Sequence, residues 1–255
     1  MYSHNYFRNK AALGLALLTT SALPLGLLSS ASHASDDVSA SGNIGVFSKY
    51  VLRGIQKGGG ESAGPALQGG FDLSHSSGIY AGYWGSNLGY ADESNAGETG
   101  FENDYYFGYS GEASDFSYGV GLIYYHYIKI SDSDAPELIL NAGYGPVSLG
   151  VQYLMDDVAW GNTGDTYITL NYETDLPKDF SAAVSLGYYM YEDSGEFIES
   201  SELDSGFRHL NLTLSHPIGD TGADMSITGI YGGVDRDDNE QGTSVVLGIS
   251  YGFDI

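Results

Sequence analysis

Twelve short segments alternate large apolar or aromatic residues with small or polar ones, and this repetition constrains the fold more than any other feature of the chain. The last of them, VVLGISYGFDI, carries a large apolar or aromatic residue at every odd position from Val245 to Ile255. Between them lie Val246, Gly248, Ser250, Gly252 and Asp254. A strand points successive side chains to opposite faces, so one face here is greasy to the end and the other is mostly small or polar. Such segments recur from Ile44 onward, and no stretch after Ser35 keeps a helical period for three turns. In the first segment Ile44, Val46, Tyr50 and Leu52 share the apolar face, with Asn43, Gly45, Phe47, Lys49 and Arg53 opposite.

The connections between segments alternate in length, which is an independent signal. Those near 76–78, 111–115, 145–146, 174–179 and 217–222 are short. Those near 55–64, 88–100, 128–136, 156–165, 192–206 and 234–242 are longer. Short turns at one end and long loops at the other predict an all-β, antiparallel up-and-down barrel of about twelve strands that spans an outer membrane. The last strand is then expected to pair with the first, leaving no open edge. A soluble sandwich has no reason to segregate its loops this way, because Greek-key crossovers mix them. The second face is dominated by Gly, Ser, Asn, Gln and Thr rather than by charges of both signs, so it suits a wet lumen better than a soluble exterior. Tyr109, Tyr144, Tyr172 and Tyr251 near the short turns, and Tyr50, Tyr124, Tyr153, Tyr188 and Tyr231 near the long loops, suggest two aromatic girdles.

Residues 1–34 read as a secretory signal peptide: Arg8 and Lys10, then an apolar stretch, then Ser32-His33-Ala34. Residues 35–255 form the expected barrel domain. With Arg8 and Lys10 removed, the nine Lys plus Arg become seven against 33 Asp plus Glu, a net charge of −26. That balance makes nucleic acid a poor partner. There is no cysteine, so backbone ladders and packing must hold an exported fold together.

The acidic residues crowd the long loops. Asp92, Glu93, Asp156, Asp157, Glu196, Glu199, Asp235, Asp237 and Asp238 are candidates for an acidic mouth that concentrates cations and repels anions. A solvated face that merely keeps the loops soluble, or adapts them to a salty habitat, explains them equally. Asp235, Asp237 and Asn239 resemble the start of an oxygen-ligand loop for a divalent ion, but Glu240 stands where such a loop needs glycine. Lys49 and Arg53 take lumen-facing positions in the first strand, and Asp72 and Asp254 are candidate partners for them. The four describe either a charged constriction that orients a solute or a polar network that stiffens a narrow lumen. His126, His209 and His216 have no nearby Ser and Asp or Asn at a nucleophile spacing, the acid pairs Asp156-Asp157 and Asp237-Asp238 sit in loops, and Gly58-Gly59-Gly60 reads as a flexible loop. No enzyme activity, cofactor or resident metal is therefore expected.

The stretches NIGVFSKYVLRGIQ and PALQGGFDLSHSSGIYAGYWGSN carry a more specific pattern, followed by YYFGYSGE, FSYGVGLIYYHY and ELILNAGYGPVSLGVQYL. From Asn43 to Tyr191 the chain resembles the TorF family, outer-membrane porins of Gcw_chp type. It departs from that family at Gln56-Lys57 and in lacking a proline near Ile128. The resemblance implies a porin barrel in the outer membrane, among lipid and lipopolysaccharide, and implies no substrate or catalytic residue. Together with the acidic loops it leads to the expectation of a channel for small solutes that prefers cations. The alternative is a non-conducting barrel whose acidic loops engage divalent cations or a partner.

Overall fold

The computed structural model describes residues 37–55, 64–91 and 98–255. The signal segment, Gln56-Lys57, Gly58 to Gly60, Asp92 and Glu93 lie outside the described residues. The strands are β1 (Val38–Phe47), β2 (Ala66–His75), β3 (Ile79–Asn87), β4 (Phe101–Ala113), β5 (Phe116–Ile128) and β6 (Ala135–Tyr144). They continue with β7 (Val147–Leu154), β8 (Thr166–Asp175), β9 (Ser181–Met190), β10 (Ser205–Pro217), β11 (Ala223–Gly232) and β12 (Thr243–Asp254). Each strand pairs antiparallel with its sequence neighbours, and β12 pairs with β1 from Ser41↔Asp254 to Phe47↔Gly248, which closes the barrel. Closure gives every wall strand two hydrogen-bonded neighbours, the condition for crossing hydrocarbon without orphaned backbone groups.

The period-2 pattern sorts side chains as the sequence predicts. On β12, Val245, Leu247 and Ile249 are exposed on the outer surface, whereas Val246 between them is fully buried inside. Leu149 on β7, Leu170 on β8 and Leu186 on β9 lie side by side in register, and all are exposed. An apolar belt running round a closed barrel marks a lipid-facing surface, and the protein is an outer-membrane barrel. The tyrosines assigned to the girdles are exposed, with the exception of Tyr50, which is buried.

Short turns join the strands at one end, including the two-residue connections Ser114-Asp115 and Gly145-Pro146. At the turn after β2, Gly78 has φ +96°, and a Cβ there would meet the Ser110 carbonyl at 2.3 Å, so only glycine fits. At the other end all six connections are longer. The first leaves the wall earlier than the alternation implies: β1 stops at Phe47, and Lys49 to Arg53 do not extend it. Ser48 ends the ladder, donating its N–H to the Leu247 carbonyl (2.8 Å) and accepting the Leu247 N–H on its hydroxyl (2.9 Å). Residues 48–55 then form a limb whose Tyr50, Val51 and Arg53 are buried.

Candidate functional site

The limb ends in a tight turn in which the Ile55 N–H donates to the Leu52 carbonyl (2.8 Å). Its two central residues, Arg53 (φ +48°) and Gly54 (φ +76°), are both left-handed, as a type I′ turn requires. Gly54 packs so closely on β10 that a Cβ would lie 2.8 Å from the Arg208 carbonyl oxygen. That contact depends on a bulge between Phe207 and His209, which turns both Arg208 and His209 inward. The Arg208 Nε donates to the Arg53 carbonyl (2.9 Å), and its Nη1 donates to the Val234 carbonyl (2.9 Å).

From this turn the Arg53 side chain reaches the wall opposite β1. Its Nη2 donates to Glu137 Oε2 on β6 (2.6 Å) and to the Tyr125 hydroxyl on β5 (3.2 Å), and its Nη1 donates to the Tyr189 hydroxyl on β9 (2.9 Å). The guanidinium carbon lies 4.9 Å from the Tyr167 ring centre, 5.8 Å from that of Trp160 and 5.9 Å from that of Tyr189. Cation–π attraction adds to the ion pair in such a desolvated setting. Two further carboxylates, Glu102 and Asp104, are buried on the inner face of β4. Glu102 accepts hydroxyl hydrogen bonds from Tyr50 (2.8 Å) and Tyr127 (3.1 Å). Asp104 lies within electrostatic reach of Glu102, Glu137 and Arg53, and its Oδ1 is buried without a hydrogen-bond partner among the described residues.

The lumen is therefore filled unequally. Toward the long loops, Tyr50 and Val51 of the limb pack with Phe47, Ile123, Ile139, Ile230 and Val246 from the walls into a core inside the barrel. Toward the short turns the inner face carries small or uncharged polar residues such as Gly121, Asn141, Gly150, Asn171 and Thr213, with the larger Tyr80 and Tyr106 among them, Tyr106 bonded to Asp72.

The four residues assigned to the constriction separate into two levels. Lys49 donates to the Ser244 hydroxyl (3.0 Å), and Arg53 bonds Glu137. Asp72 and Asp254 both stand opposite Ser41, at the short-turn end. The antiparallel register puts Asp254 six positions past Gly248, the partner of Phe47, and that is roughly 20 Å at strand rise. Neither acid pairs with Lys49 or Arg53; Asp72 accepts the Tyr106 hydroxyl (2.5 Å) instead. The sequence reading missed Glu102, Asp104 and Glu137, although strand parity already puts all three inside.

The mouth acids also divide. Asp156, Glu196, Glu199, Asp237 and Asp238 are exposed. Asp235 instead accepts the N–H groups of Asp237 (3.1 Å) and Asn239 (2.9 Å) and the Gln241 amide (2.9 Å), so it shapes its own loop. Asp157 ties two loops by accepting the N–H groups of Thr163 (2.7 Å) and Glu196 (2.9 Å). These amides, that of Thr163 first, hold its carboxyl below the usual carboxylate range. A depressed folded pKa means the tie is intact above about pH 4, the unfolded value, and is lost as pH falls through the folded one. Amide exchange at Thr163 and Glu196, corrected for intrinsic rates, is expected to stay slow at pH 6 and to quicken only below about pH 4. Equal protection at pH 3 and pH 6 would refute this. Among the described residues no group of three or more Asp, Glu or His is placed to hold a metal ion. Of the histidines, His126 Nδ1 bonds Asp134 (2.7 Å), His209 Nε2 bonds the Tyr167 hydroxyl (2.6 Å), and His216 Nδ1 bonds the Pro217 carbonyl (2.7 Å).

The barrel is similar to KdgM porin, which is 12% identical, with a TM-score of 0.54 over 84% of this chain and 99% of that one. An outer-membrane channel from Pseudomonas putida F1 is 10% identical, with a TM-score of 0.49 over 87% of this chain and 97% of that one. Outer membrane phospholipase A from Escherichia coli is 12% identical, with a TM-score of 0.42 over 84% and 89%. Likeness at such identities is one of fold. No curated protein matches the sequence. Residues 31–240 match Gcw_chp, a family described as bacterial protein of unknown function, and the chain belongs to that family.

Proposed function

We propose that the protein is a TorF-type porin: an outer-membrane channel for passive passage of small solutes that prefers cations, its outer half filled by the limb. The observation that carries this reading is the unequal filling of the lumen. A barrel needed only as a shell can be filled by its own wall side chains along its whole length. Here the half toward the short turns is lined by wall side chains, many of them small or uncharged and polar, whereas the other half is filled by a limb of eight residues anchored through Arg53. A limb can move where a packed wall cannot. Cation preference is supported by Glu102, Asp104 and Glu137 on the inner wall and by the exposed acids of the loops. KdgM is itself a porin, and its fold accommodates this role. The same closure favours a second reading, a non-conducting barrel whose acidic loops engage divalent cations or a partner.

Planar-bilayer recordings on refolded mature protein separate the two. Stepwise conductance is expected, with a reversal potential in a salt gradient that reports cation preference. Silence across repeated, verified insertions, or clear anion preference, would sink the channel reading.

A further inference from the structure

Three of the groups around Arg53 are also bonded to partners other than it. The Tyr125 hydroxyl donates to Glu137 (2.9 Å), the Trp160 indole N–H donates to the Ser133 carbonyl (2.9 Å), and the Tyr167 hydroxyl bonds His209 Nε2 (2.6 Å). A carboxylate, two hydroxyls and three aromatic faces thus form a preorganised cage for a planar cation, built from β5, β6, β8, β9 and the loop after β7. Its present occupant fits it imperfectly. Arg53 enters with a left-handed backbone, and its Nε is buried with no acceptor among the described residues. The Oδ1 of Asp104, within electrostatic reach of Arg53, leaves a further acceptor nearby without a donor among the described residues.

We infer that this cage is a binding site for a guanidinium-bearing solute, and that Arg53 is a tethered stand-in which such a solute displaces. A free guanidinium brings donors on all three nitrogens without the limb's backbone constraint. A solute with a second cationic end would also satisfy Asp104. The link to transport rests on the channel reading above: displacement of Arg53 releases the limb, and the lumen opens to the ligand that occupies the cage. The binding site itself does not depend on conduction.

Agmatine, which carries a guanidinium and an ammonium group, is the probe. Its binding to the refolded full mature chain is measured by calorimetry and by fluorescence of the two tryptophans, Trp84 and Trp160, with sodium at matched ionic strength as control. Arg53→Ala removes the internal competitor and is expected to bind agmatine about tenfold more tightly than the parent protein, because the vacant cage becomes the dominant state. Adding Glu137→Gln to Arg53→Ala is expected to weaken binding by about tenfold through loss of the charged acceptor. Should that double variant not refold, as judged by heat-modifiable migration, Arg53→Ala with Tyr189→Phe takes its place and is expected to weaken binding severalfold. Arg53→Ala binding no more tightly than the parent, or binding indifferent to Glu137 and Tyr189, overturns the inference. In bilayers, agmatine is expected to block current through Arg53→Ala in proportion to that affinity. If binding follows this order but no variant conducts, the channel reading fails and the site stands.

Discussion

Leu149→Arg is expected to destabilise the barrel folded in a bilayer by about 2–4 kcal/mol, whereas Ser148→Arg, one residue earlier, is expected to cost less than about 1 kcal/mol. Leu149 stands in register with Leu170, and Leu170 with Leu186, near the middle of β8 and β9. Its side chain is exposed on the outer surface, within the apolar belt. An arginine there must snorkel or drag water and headgroups inward. Ser148 faces the lumen near the short turns, where its neighbour across the ladder is Asn171 and a guanidinium keeps its hydration. The comparison is made by urea titration of barrels refolded into thin bilayers. Equal losses from the two substitutions would mean that the inner and outer faces are wrongly assigned.

That pair of residues also shows why the wall was legible in the sequence. Lipid demands an apolar side chain at every second position of every strand, so each strand repeats the signal, and the alternation of loop lengths fixes the order. The limb escaped because it carries the same signal with a different cause. Tyr50 and Leu52 continue the parity of Val46, yet Tyr50 turns inward because its hydroxyl meets Glu102, 52 residues further along the chain. Nothing local to FSKYVLRG distinguishes an aromatic residue bound for lipid from one bound for a carboxylate on β4.

The candidate site was legible in part for a related reason. Arg53 stands out as one of few cations, but closeness to β1 in the strand order points to Asp72 on β2 and Asp254 on β12 as its partners. Strand parity places an acid inside or outside, whereas height along the barrel axis follows from register, and register put Asp72 and Asp254 at the far end. Arg208 was hidden because a bulge shifts its parity. The mouth acids were found by number, and number does not separate a solvated carboxylate from one that accepts amides of another loop. Asp157, which receives the N–H of Glu196, is of the second kind.

Arg236→Ala is expected to loosen the cap over the long-loop end while leaving the wall intact, with a loss of about 3–5 kcal/mol in the local stability of that cap. Arg236 pairs with Asp165, both nearly buried, and its guanidinium also donates to the Ser201 hydroxyl (3.2 Å) and lies 5.1 Å from the Tyr191 ring centre. Asp165 in turn accepts the N–H groups of Asn162 (3.0 Å) and Glu192 (2.8 Å), so the pair ties together the connections after β7, β9 and β11. Removing the arginine leaves a buried carboxylate with amide donors but no counter-charge. Burial already raises the Asp165 carboxyl above its usual range, opposed by the Glu192 amide and by Arg236. Without Arg236 the shift grows, and the sign of the pH response follows. A carboxyl whose folded pKa is raised favours the fold when protonated, so its contribution is present at low pH and is lost as pH rises through the folded value. The defect in Arg236→Ala is therefore expected to be larger at pH 7.5 than at pH 4.5. Hydrogen exchange at the amides of Glu192, Glu202 and Leu203 reads it, the last two because they donate to the Arg236 carbonyl (both 3.0 Å). Heat-modifiable migration should not change, since the strand ladders do not pass through this pair. A defect equal at both pH values would show that the guanidinium acts there by packing on Tyr191 rather than by charge.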